Sequence, residues 1–488
     1  METCEKKSFF DRPCLAVFVL IAVLSAVWSV QSVLTQRVLA KDVVETVMWG
    51  SLGALGHLKH PPLSGWIGWA VARLSGYSPF AMYLAAQLSL MFGAWYVYRL
   101  ARLFLNETES AVSALLLYFL FYYNPSSMKF CSHFVEAAFM PAMVFHIVRG
   151  ARENRLTDWL LAGVFSALAL LGKYSAGIVL PGCLAYILSD RERRKCFLKP
   201  GLWLGVLTGV LLLLPHLVWL YRHDFCCLQH VKRRISDDVM PWYYFLIVIA
   251  VGVGPILLEL LVLCLSHLPC RKEGGRKPVS REVLILALLL TLIPVAVLAV
   301  SAILGGDVVL MWFSFLASWT GIAATALFPR EITRKVFRNL WLLAAGYSLI
   351  ALVLSTADTL KKPRLRVHSD PAVIVRDVER YYRQLKPEGK LPPLVGERWI
   401  CGVVQFYSPE HPQAFSVSDP VSLAPHLPDI RRNGVLLLGD EDKIRSWLPE
   451  IAGRVKFDYF EVSYRAWSGK SKTEEYVIAY YPGEAGNR

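Results

Sequence analysis

Apolar runs of nearly membrane-spanning length recur along this chain down to about residue 356. A helix needs roughly 20 apolar residues to cross the hydrocarbon core of a bilayer, so the sequence predicts a polytopic α-helical membrane protein. Of the 488 residues, 55% are hydrophobic and 18% are charged. That balance excludes a wholly soluble enzyme and a disordered chain, because soluble domains carry about 25% charged residues. We predict eleven spans, near 14–34, 79–98, 110–122, 132–148, 158–172, 174–189, 201–221, 242–266, 282–304, 309–328 and 339–356.

The loop charges predict the orientation of these spans. Loops on one side hold 22 basic residues and those on the other hold 10, although the second set includes the two longest loops. By the positive-inside bias the N-terminus is cytoplasmic and the C-terminus external. Four basic residues that follow the last span, between Lys361 and Arg366, argue against this assignment. The first apolar run lacks a small-residue cleavage site before Gln31, so we interpret it as a retained helix rather than a signal peptide.

The net charge of +14 does not indicate a nucleic-acid partner. Residues 357–488 carry 20 Lys and Arg against 18 Asp and Glu, so most of the positive surplus lies in short loops between apolar segments. A phosphate-binding face would instead gather its cations on one surface. The ten cysteines include no Cys-x-x-Cys pair, which argues against a thiolate zinc site.

The long apolar runs end near residue 356. We therefore predict a transmembrane domain of residues 1–356, followed by a small soluble α/β domain of residues 357–488. Helical apolar spacing runs from Asp370 to Leu385, and a second helical stretch lies near 441–452. Strand-like runs occupy 435–438, 459–464 and 476–481. The sequence Leu438-Gly439-Asp440 at the end of the first run resembles the end of a nucleotide-binding strand, but no GxGxxG or Walker motif accompanies it.

The first outer loop, residues 35–78, carries the candidate chemistry. Asp42 and Glu45 are three residues apart, so on a helix both carboxylates share one face. Burial among their apolar neighbours would raise the pKa of a carboxyl group and make it a competent base. The alternative is structural: Asp42 followed by Glu45 also fits a capping box at a helix start.

A second feature of this loop is the sequence Lys59-His60-Pro61-Pro62. Proline restricts the residue before it and cannot continue a helix, so this segment predicts a rigid elbow. Lys59 and His60 at such an elbow could hold a phosphate. An ordinary turn between two helices explains the same residues.

Taken together, this arrangement resembles the C-type membrane glycosyltransferases of glycosyltransferase family 39, the group of protein mannosyltransferases and bacterial aminoarabinose transferases. Asp42 matches the leading Asp of the family's first outer loop, Trp49 its Trp, and His60-Pro61-Pro62 its elbow. Val43 stands where the family often has Glu, with Glu45 as a possible replacement, and Lys59 stands where the family often has Asp.

Weaker matches follow in order down to about residue 330. Asn124-Pro125 with His133 and Glu136 resembles the second outer loop of the family, which carries another acid. Leu171-Gly172-Lys173-Tyr174 resembles its turn between two spans. Pro215 to Trp219, followed by Arg222 and His230, resembles the entry to its next outer loop. Glu136 has a structural alternative, a paired carboxylate within the membrane, although ionisable groups at that depth are more often functional.

The resemblance implies transfer of a sugar from a polyprenyl-phosphate carrier to an acceptor at the outer face of a bacterial inner membrane, with inversion. The acceptor would be lipid A, another envelope glycan or a protein. Asp42, Glu45 and Glu136 would be the catalytic acids, with Asp42 as the base. Candidate substrate-binding residues are Lys59, His60, Lys173, Arg222, His230 and Arg233. Basic residues in outer loops could hold the donor phosphate or attract anionic membrane lipids. No cofactor is firmly implied, but a divalent ion near Glu45, Glu136 or a histidine is compatible with the family.

Two other classes remain as alternatives. A secondary transporter or flippase would also be polytopic, but it should show matching broken spans in two halves, and the sequence has no such symmetry. A non-catalytic membrane scaffold would explain the C-terminal domain but not the acids and the elbow of the first outer loop.

Overall fold

The computed structural model describes residues 9–124, 129–230, 243–268, 281–303, 317–362 and 366–484. Its membrane part is a bundle of helices. They are α1 Pro13–Thr35, α2 Lys41–Ser51, α3 Leu63–Leu74, α4 Pro79–Ala101, α5 Glu107–Leu116, α6 Ser132–Glu153, α7 Leu156–Gly172, α8 Leu180–Leu188, α9 Arg191–Arg194, α10 Pro200–Arg222, α11 Tyr244–His267, α12 Arg281–Ile303, α13 Ala317–Leu327 and α14 Arg334–Lys361. Short 3-10 turns join several of them, at Phe9–Asp11, Leu117–Phe119, Phe121–Tyr123, Tyr174–Val179 and Lys195–Leu198.

Seven of these helices are long and apolar enough to cross a membrane: α1, α4, α6, α10, α11, α12 and α14. All seven coincide with predicted spans, so the mostly helical membrane fold is confirmed. The four remaining predicted spans fall on the shorter helices α5, α7, α8 and α13, and residues 309–316 of the last of these spans lie outside the described residues. The count of eleven therefore stays a prediction. So does the domain boundary after residue 356, which lies inside α14.

Close backbone contacts hold parts of this bundle together. At Gly163 of α7, an added Cβ would lie 2.1 Å from the carbonyl oxygen of Gly205 in α10. Only glycine therefore permits this approach of the two backbones. Small residues of this kind drive helix packing in lipid, where the hydrophobic effect between helices is absent.

The C-terminal part is a five-stranded sheet with helices on both faces. The strands are β1 Leu394–Gly396, β2 Ala414–Ser416, β3 Val435–Gly439, β4 Asp458–Arg465 and β5 Ser471–Tyr481, in the order β2-β1-β3-β5-β4. β1 pairs in parallel with β2 and β3, whereas β5 is antiparallel to β3 and β4. The helices are α15 Pro371–Leu385, α16 Arg398–Tyr407, α17 Pro420–Leu423, α18 Leu427–Asn433, α19 Glu441–Trp447 and α20 Pro449–Ala452, with 3-10 turns at Arg366–His368 and Ala424–His426.

The predicted α/β character of this part is confirmed. The side chain of Asp370 caps α15 by accepting a hydrogen bond of 2.9 Å from the backbone N–H of Ala372. Every residue of β3 is buried, because the sheet is covered on both sides. Leu436 and Leu438 pack in the same cluster as α16. Val435 and Leu437 pack in a second cluster with α19 and α20. α16 therefore lies between the sheet and the membrane part, where it contacts α2.

Candidate active site

The acidic pair of the first outer loop lies on α2. This helix begins after Ala40, whose extended backbone forms the N-cap without a side-chain hydrogen bond. Asp42 lies inside the first turn, and the Glu45 carboxylate is hydrogen-bonded to Lys59 and Arg398. The capping-box interpretation is therefore wrong. The three-residue spacing places both carboxylates on one face, as predicted, where they line a cleft of about 280 Å³.

The predicted elbow forms the adjacent wall of this cleft. The backbone N–H of His57 donates to the carbonyl oxygen of His60 at 3.1 Å, and α3 begins directly after Pro62. Lys59 and His60 both line the cleft. The His60 ring lies edge-on to the buried Trp49, with ring centroids 5.8 Å apart. The elbow therefore turns the chain and directs both side chains toward the acidic pair.

The C-terminal half of α10 contacts the segment that leads into this elbow. The Nδ1 atom of His216 lies 2.6 Å from the carbonyl oxygen of Leu55. The Nε2 atom of the same ring lies 2.7 Å from the hydroxyl of Tyr174. At Gly56 an added Cβ would lie 2.3 Å from the ring of Trp219. Residues of two later sequence matches therefore fix the position of the first outer loop.

Glu45 is the buried member of the acidic pair, since its side chain is only 8% exposed. Its Oε1 atom accepts hydrogen bonds from Lys59 Nζ at 2.8 Å and from Arg398 Nη1 at 2.6 Å. Burial raises the pKa of the Glu45 carboxyl to about 7, although the Arg398 guanidinium acts in the opposite direction. The predicted burial is confirmed for this residue, whose carboxylate holds two cations at the edge of the cleft.

Asp42 has a different environment. Its side chain is 53% exposed, and its Oδ2 atom lies 3.6 Å from Nζ of the half-exposed Lys129. The prediction that Asp42 is buried among apolar residues is therefore wrong. The reason is geometric: α2 turns Val43 and Val44 into the core and leaves Asp42 at the mouth of the cleft. A molecule that enters the cleft can reach this carboxylate directly.

Glu136 and Lys173 lie behind the cleft. The Glu136 side chain is 0% exposed; its Oε1 accepts a hydrogen bond of 2.5 Å from Ser175 Oγ, and its Oε2 lies 3.4 Å from Lys173 Nζ. Lys173 Nζ also lies 3.1 Å from Nδ1 of His133, which lines the cleft. Neither Glu136 nor Lys173 lines the cleft itself. Among the residues that the structure describes, Lys173 and His133 connect Glu136 to the cleft.

Of the three remaining predicted substrate-binding residues, the structure places one at the cleft and one away from it, and does not describe the third. His230 lines the cleft. Arg222 is the last residue of α10, where it is exposed and does not line the cleft. Arg233 lies outside the described residues, as do its neighbours Lys232 and Arg234. Only His230 of this loop therefore joins the acidic pair among the residues that the structure describes.

Sequence analysis missed two charged residues of the cleft, Lys41 and Arg398. Lys41 is the first residue of α2, whereas the second residue, Arg398, comes from the C-terminal part of the chain. This residue opens α16, two positions after β1 ends. Its partner Glu45 is 353 positions away in the chain. No local pattern predicts such a contact.

The residues predicted as ligands of a divalent ion do not form a metal site in the described part of the chain. Within the described ranges, no three His, Cys, Asp or Glu side chains are grouped so that they could hold a metal ion. Glu136 is separated from the cleft by Lys173, and Glu45 is bound to two cations. Glu45 and Glu136 therefore do not fit together as ligands of one divalent ion, and the mechanism below contains no metal step.

Known proteins resemble this chain in sequence over part of its length. A model of the dolichyl-phosphate-mannose-protein mannosyltransferase family matches residues 59–219. The lipopolysaccharide core galacturonosyltransferase RgtB of Rhizobium johnstonii is 27% identical over 232 residues, which are 46% of this chain and 46% of that protein. The undecaprenyl phosphate-alpha-4-amino-4-deoxy-L-arabinose arabinosyl transferase 2 of Proteus mirabilis is 22% identical over 211 residues, 40% and 38% of the two chains. The chain thus matches less than half the length of these curated relatives.

One solved structure shares its fold with nearly the whole chain. The crystal structure of ArnT from Cupriavidus metallidurans bound to undecaprenyl phosphate superposes with a TM-score of 0.62 at 15% identity, covering 94% of this chain and 97% of that one. The resemblance to the C-type membrane glycosyltransferases that the sequence indicated is confirmed. The protein is a multi-pass membrane protein with the fold of ArnT.

Proposed function

We propose that this protein is an integral-membrane glycosyltransferase that moves a sugar from a polyprenyl-phosphate carrier to an acceptor on the outer face of the membrane. The observation that carries the proposal is the cleft, where the accessible carboxylate of Asp42 lies beside a wall that contains Lys59, His60 and Arg398. A base and a group of cations are what a transfer with a phosphate leaving group requires. The names of the relatives and the shared fold support the same activity.

The mechanism follows from these positions. The Asp42 carboxylate takes the proton of an acceptor hydroxyl, and the acceptor oxygen attacks the anomeric carbon of the donor sugar. The bond between that carbon and the phosphate oxygen breaks, and its electron pair leaves with polyprenyl phosphate. Attack from the opposite face inverts the anomeric centre. Lys59 and Arg398 stabilise the negative charge that grows on the leaving phosphate.

In this mechanism Glu45 and Glu136 are positioning residues rather than the base. Glu45 holds Lys59 and Arg398 through one carboxylate oxygen. Glu136 and Lys173 hold the Nδ1 side of the His133 ring from the protein interior. His60 and His230 line the cleft and contribute to the binding of donor or acceptor.

The proposed acceptor is lipid A, another envelope glycan or a protein. Deletion of the gene should remove one glycosyl group from an envelope glycoconjugate, which mass spectrometry of glycolipids and glycoproteins from matched strains would detect. Complementation with the wild type should restore that mass, whereas complementation with Asp42→Asn should not. Identical spectra with and without the gene would contradict the proposal.

We further propose that the protein lies in the inner membrane of a bacterium, with its N-terminus cytoplasmic and its C-terminal domain extracytoplasmic. The support is the division of 22 basic loop residues against 10. An alkaline phosphatase fused after residue 370 should therefore be active, and the same reporter fused near Arg194 should be inactive. The reverse result would invert the orientation and place Asp42 on the cytoplasmic side. Equal expression of both fusions is the required control.

The transporter alternative gains no support. The relatives are named as transferases, and the fold is that of ArnT, which was crystallised with undecaprenyl phosphate.

A further inference from the structure

We propose that the C-terminal domain completes the donor site, with Arg398 and Lys59 forming a two-cation site for the phosphate of the lipid carrier. This inference rests on the proposed function, because it takes a polyprenyl phosphate as the donor. It assigns the C-terminal domain a direct part in binding. The domain would thus be needed for the active site even though the acids and the elbow belong to the membrane part.

The first step of the argument is the shared carboxylate. Lys59 Nζ and Arg398 Nη1 both donate to Oε1 of Glu45, at 2.8 and 2.6 Å. The two cations are therefore held together at one edge of the cleft, although they would repel each other without the carboxylate between them. A guanidinium carries five N–H donors in one plane, so the bond to Glu45 leaves donors for a second anion. The Arg398 side chain is 22% exposed and lines the cleft.

The second step is the position of Arg398 on a firmly docked helix. α16 lies directly on α2: at Gly402, an added Cβ would lie 2.9 Å from the side chain of Val44. Gln405 Nε2 donates to Ser51 Oγ at 3.0 Å, and the Tyr407 hydroxyl accepts a hydrogen bond of 3.0 Å from the backbone N–H of Leu39. Arg398 is therefore fixed by contacts along the whole helix rather than carried on a loose loop.

The third step is a second anchor between the C-terminal domain and the first outer loop. The fully buried His57 ring lies with its Nδ1 atom 3.2 Å from the hydroxyl of Ser422, which donates to Asp419 at 2.7 Å. The same ring stacks on Trp49 at a centroid distance of 5.1 Å. Two separate parts of the C-terminal domain thus hold the first outer loop, and such pre-organisation reduces the entropy lost when a ligand binds.

The two cations indicate which class of ligand the site would bind, namely a phosphate monoester. Pairing of planar guanidinium donors with phosphate oxygens is a strong, directional interaction. A phosphodiester donor carries one negative charge, and the phosphate monoester that leaves carries up to two because its second pKa is about 6. Two cations at one edge suit the monoester best. The site should therefore bind polyprenyl phosphate more tightly than a polyprenol of the same length.

Binding of polyprenyl phosphate to the full-length protein in nanodiscs of zwitterionic lipid tests the inference. Removing a hydrogen bond to a charged group should weaken this binding about tenfold to a hundredfold in Arg398→Gln. Arg398→Lys keeps the charge but loses the planar donors, so its affinity for polyprenyl phosphate should lie between those of the wild type and Arg398→Gln. Binding of polyprenol should be equal in all three proteins. Tyr407→Phe, which removes one docking hydrogen bond outside the cleft, should bind polyprenyl phosphate like the wild type.

The outcomes separate this inference from the proposed function. If the wild type binds polyprenyl phosphate no better than polyprenol, both are overturned. If the wild type binds it better but Arg398→Gln binds it equally well, only the inference is overturned. An equal loss in Tyr407→Phe would show that Arg398 acts through docking alone, which also overturns the inference. If Arg398→Gln does not fold, the affinity of Arg398→Lys for polyprenyl phosphate, compared with that of the wild type, decides instead.

A competition experiment distinguishes a site for a lipid carrier from a site for free phosphate. Inorganic phosphate at millimolar concentration should compete only weakly with polyprenyl phosphate, and full competition would contradict a site for a lipid carrier.

Discussion

Replacing Asp42 by Asn should lower turnover by at least two orders of magnitude, because asparagine keeps the shape of the side chain but cannot take a proton. General-base catalysis contributes about 10²–10⁴-fold to the rate. Folding should change little, since the Asp42 side chain is 53% exposed, does not cap α2, and has one exposed lysine 3.6 Å away. Ion pairs of that kind contribute about 0–1 kcal/mol to stability. The measurement is the initial rate of sugar transfer at saturating donor, with donor affinity measured in parallel.

The chain offers a matched control for this substitution. Asp358 is 59% exposed, lies 2.7 Å from Nζ of Lys362, and belongs to the last turn of α14 rather than to the cleft. Asp358→Asn should keep normal turnover. Near-normal turnover in Asp42→Asn would remove Asp42 from the role of base. A loss in both variants would point to a general effect of removing an exposed acid.

Replacing Lys173 by Met should cause a larger loss of stability than replacing Asp42 or Asp358. Glu136 is 0% exposed, and its Oε2 atom has Lys173 as its cation at 3.4 Å. Removing one partner of a buried ion pair costs about 3–5 kcal/mol, because it leaves a buried charge without compensation. The free energy of unfolding in detergent should be about 3–5 kcal/mol lower for Lys173→Met than for the wild type under the same conditions.

A second substitution shows whether the pair is the cause. In Lys173→Met combined with Glu136→Gln, no buried charge remains unpaired, so most of the lost stability should return. If Lys173→Met leaves stability unchanged but weakens donor binding, Lys173 contacts the substrate as the sequence predicted, and its assignment as a positioning residue is wrong.

The membrane fold could be predicted where local pattern decides structure. A run such as residues 14–34 is apolar on every side and long enough to span a bilayer, so it needs no tertiary information. The shorter runs near 110–122 and 174–189 are harder, because the structure breaks them into short helices and 3-10 turns. β3 and β5 were predictable from continuous apolar runs. The three-residue strands β1 and β2 are too short to show any period.

The candidate site was predictable in part for the same reason. The spacing of Asp42 and Glu45 correctly placed both on one face of a helix that lines the cleft. Which of the two is buried depends on α16, which packs on α2 from the other end of the chain and brings Arg398 to Glu45. The interior position of Lys173 likewise depends on its pairing with Glu136. These features arise from tertiary contacts, which neither periodicity nor motif spacing encodes.

The most direct test of the central claim is the release of free polyprenyl phosphate by the purified full-length protein. With a polyprenyl-phosphate sugar as donor, the wild type should release polyprenyl phosphate only when an acceptor glycan is present, one molecule for each sugar transferred. Asp42→Asn should release at least a hundredfold less under the same conditions. Transfer directly from a soluble nucleotide sugar, with no release of polyprenyl phosphate, would contradict the account.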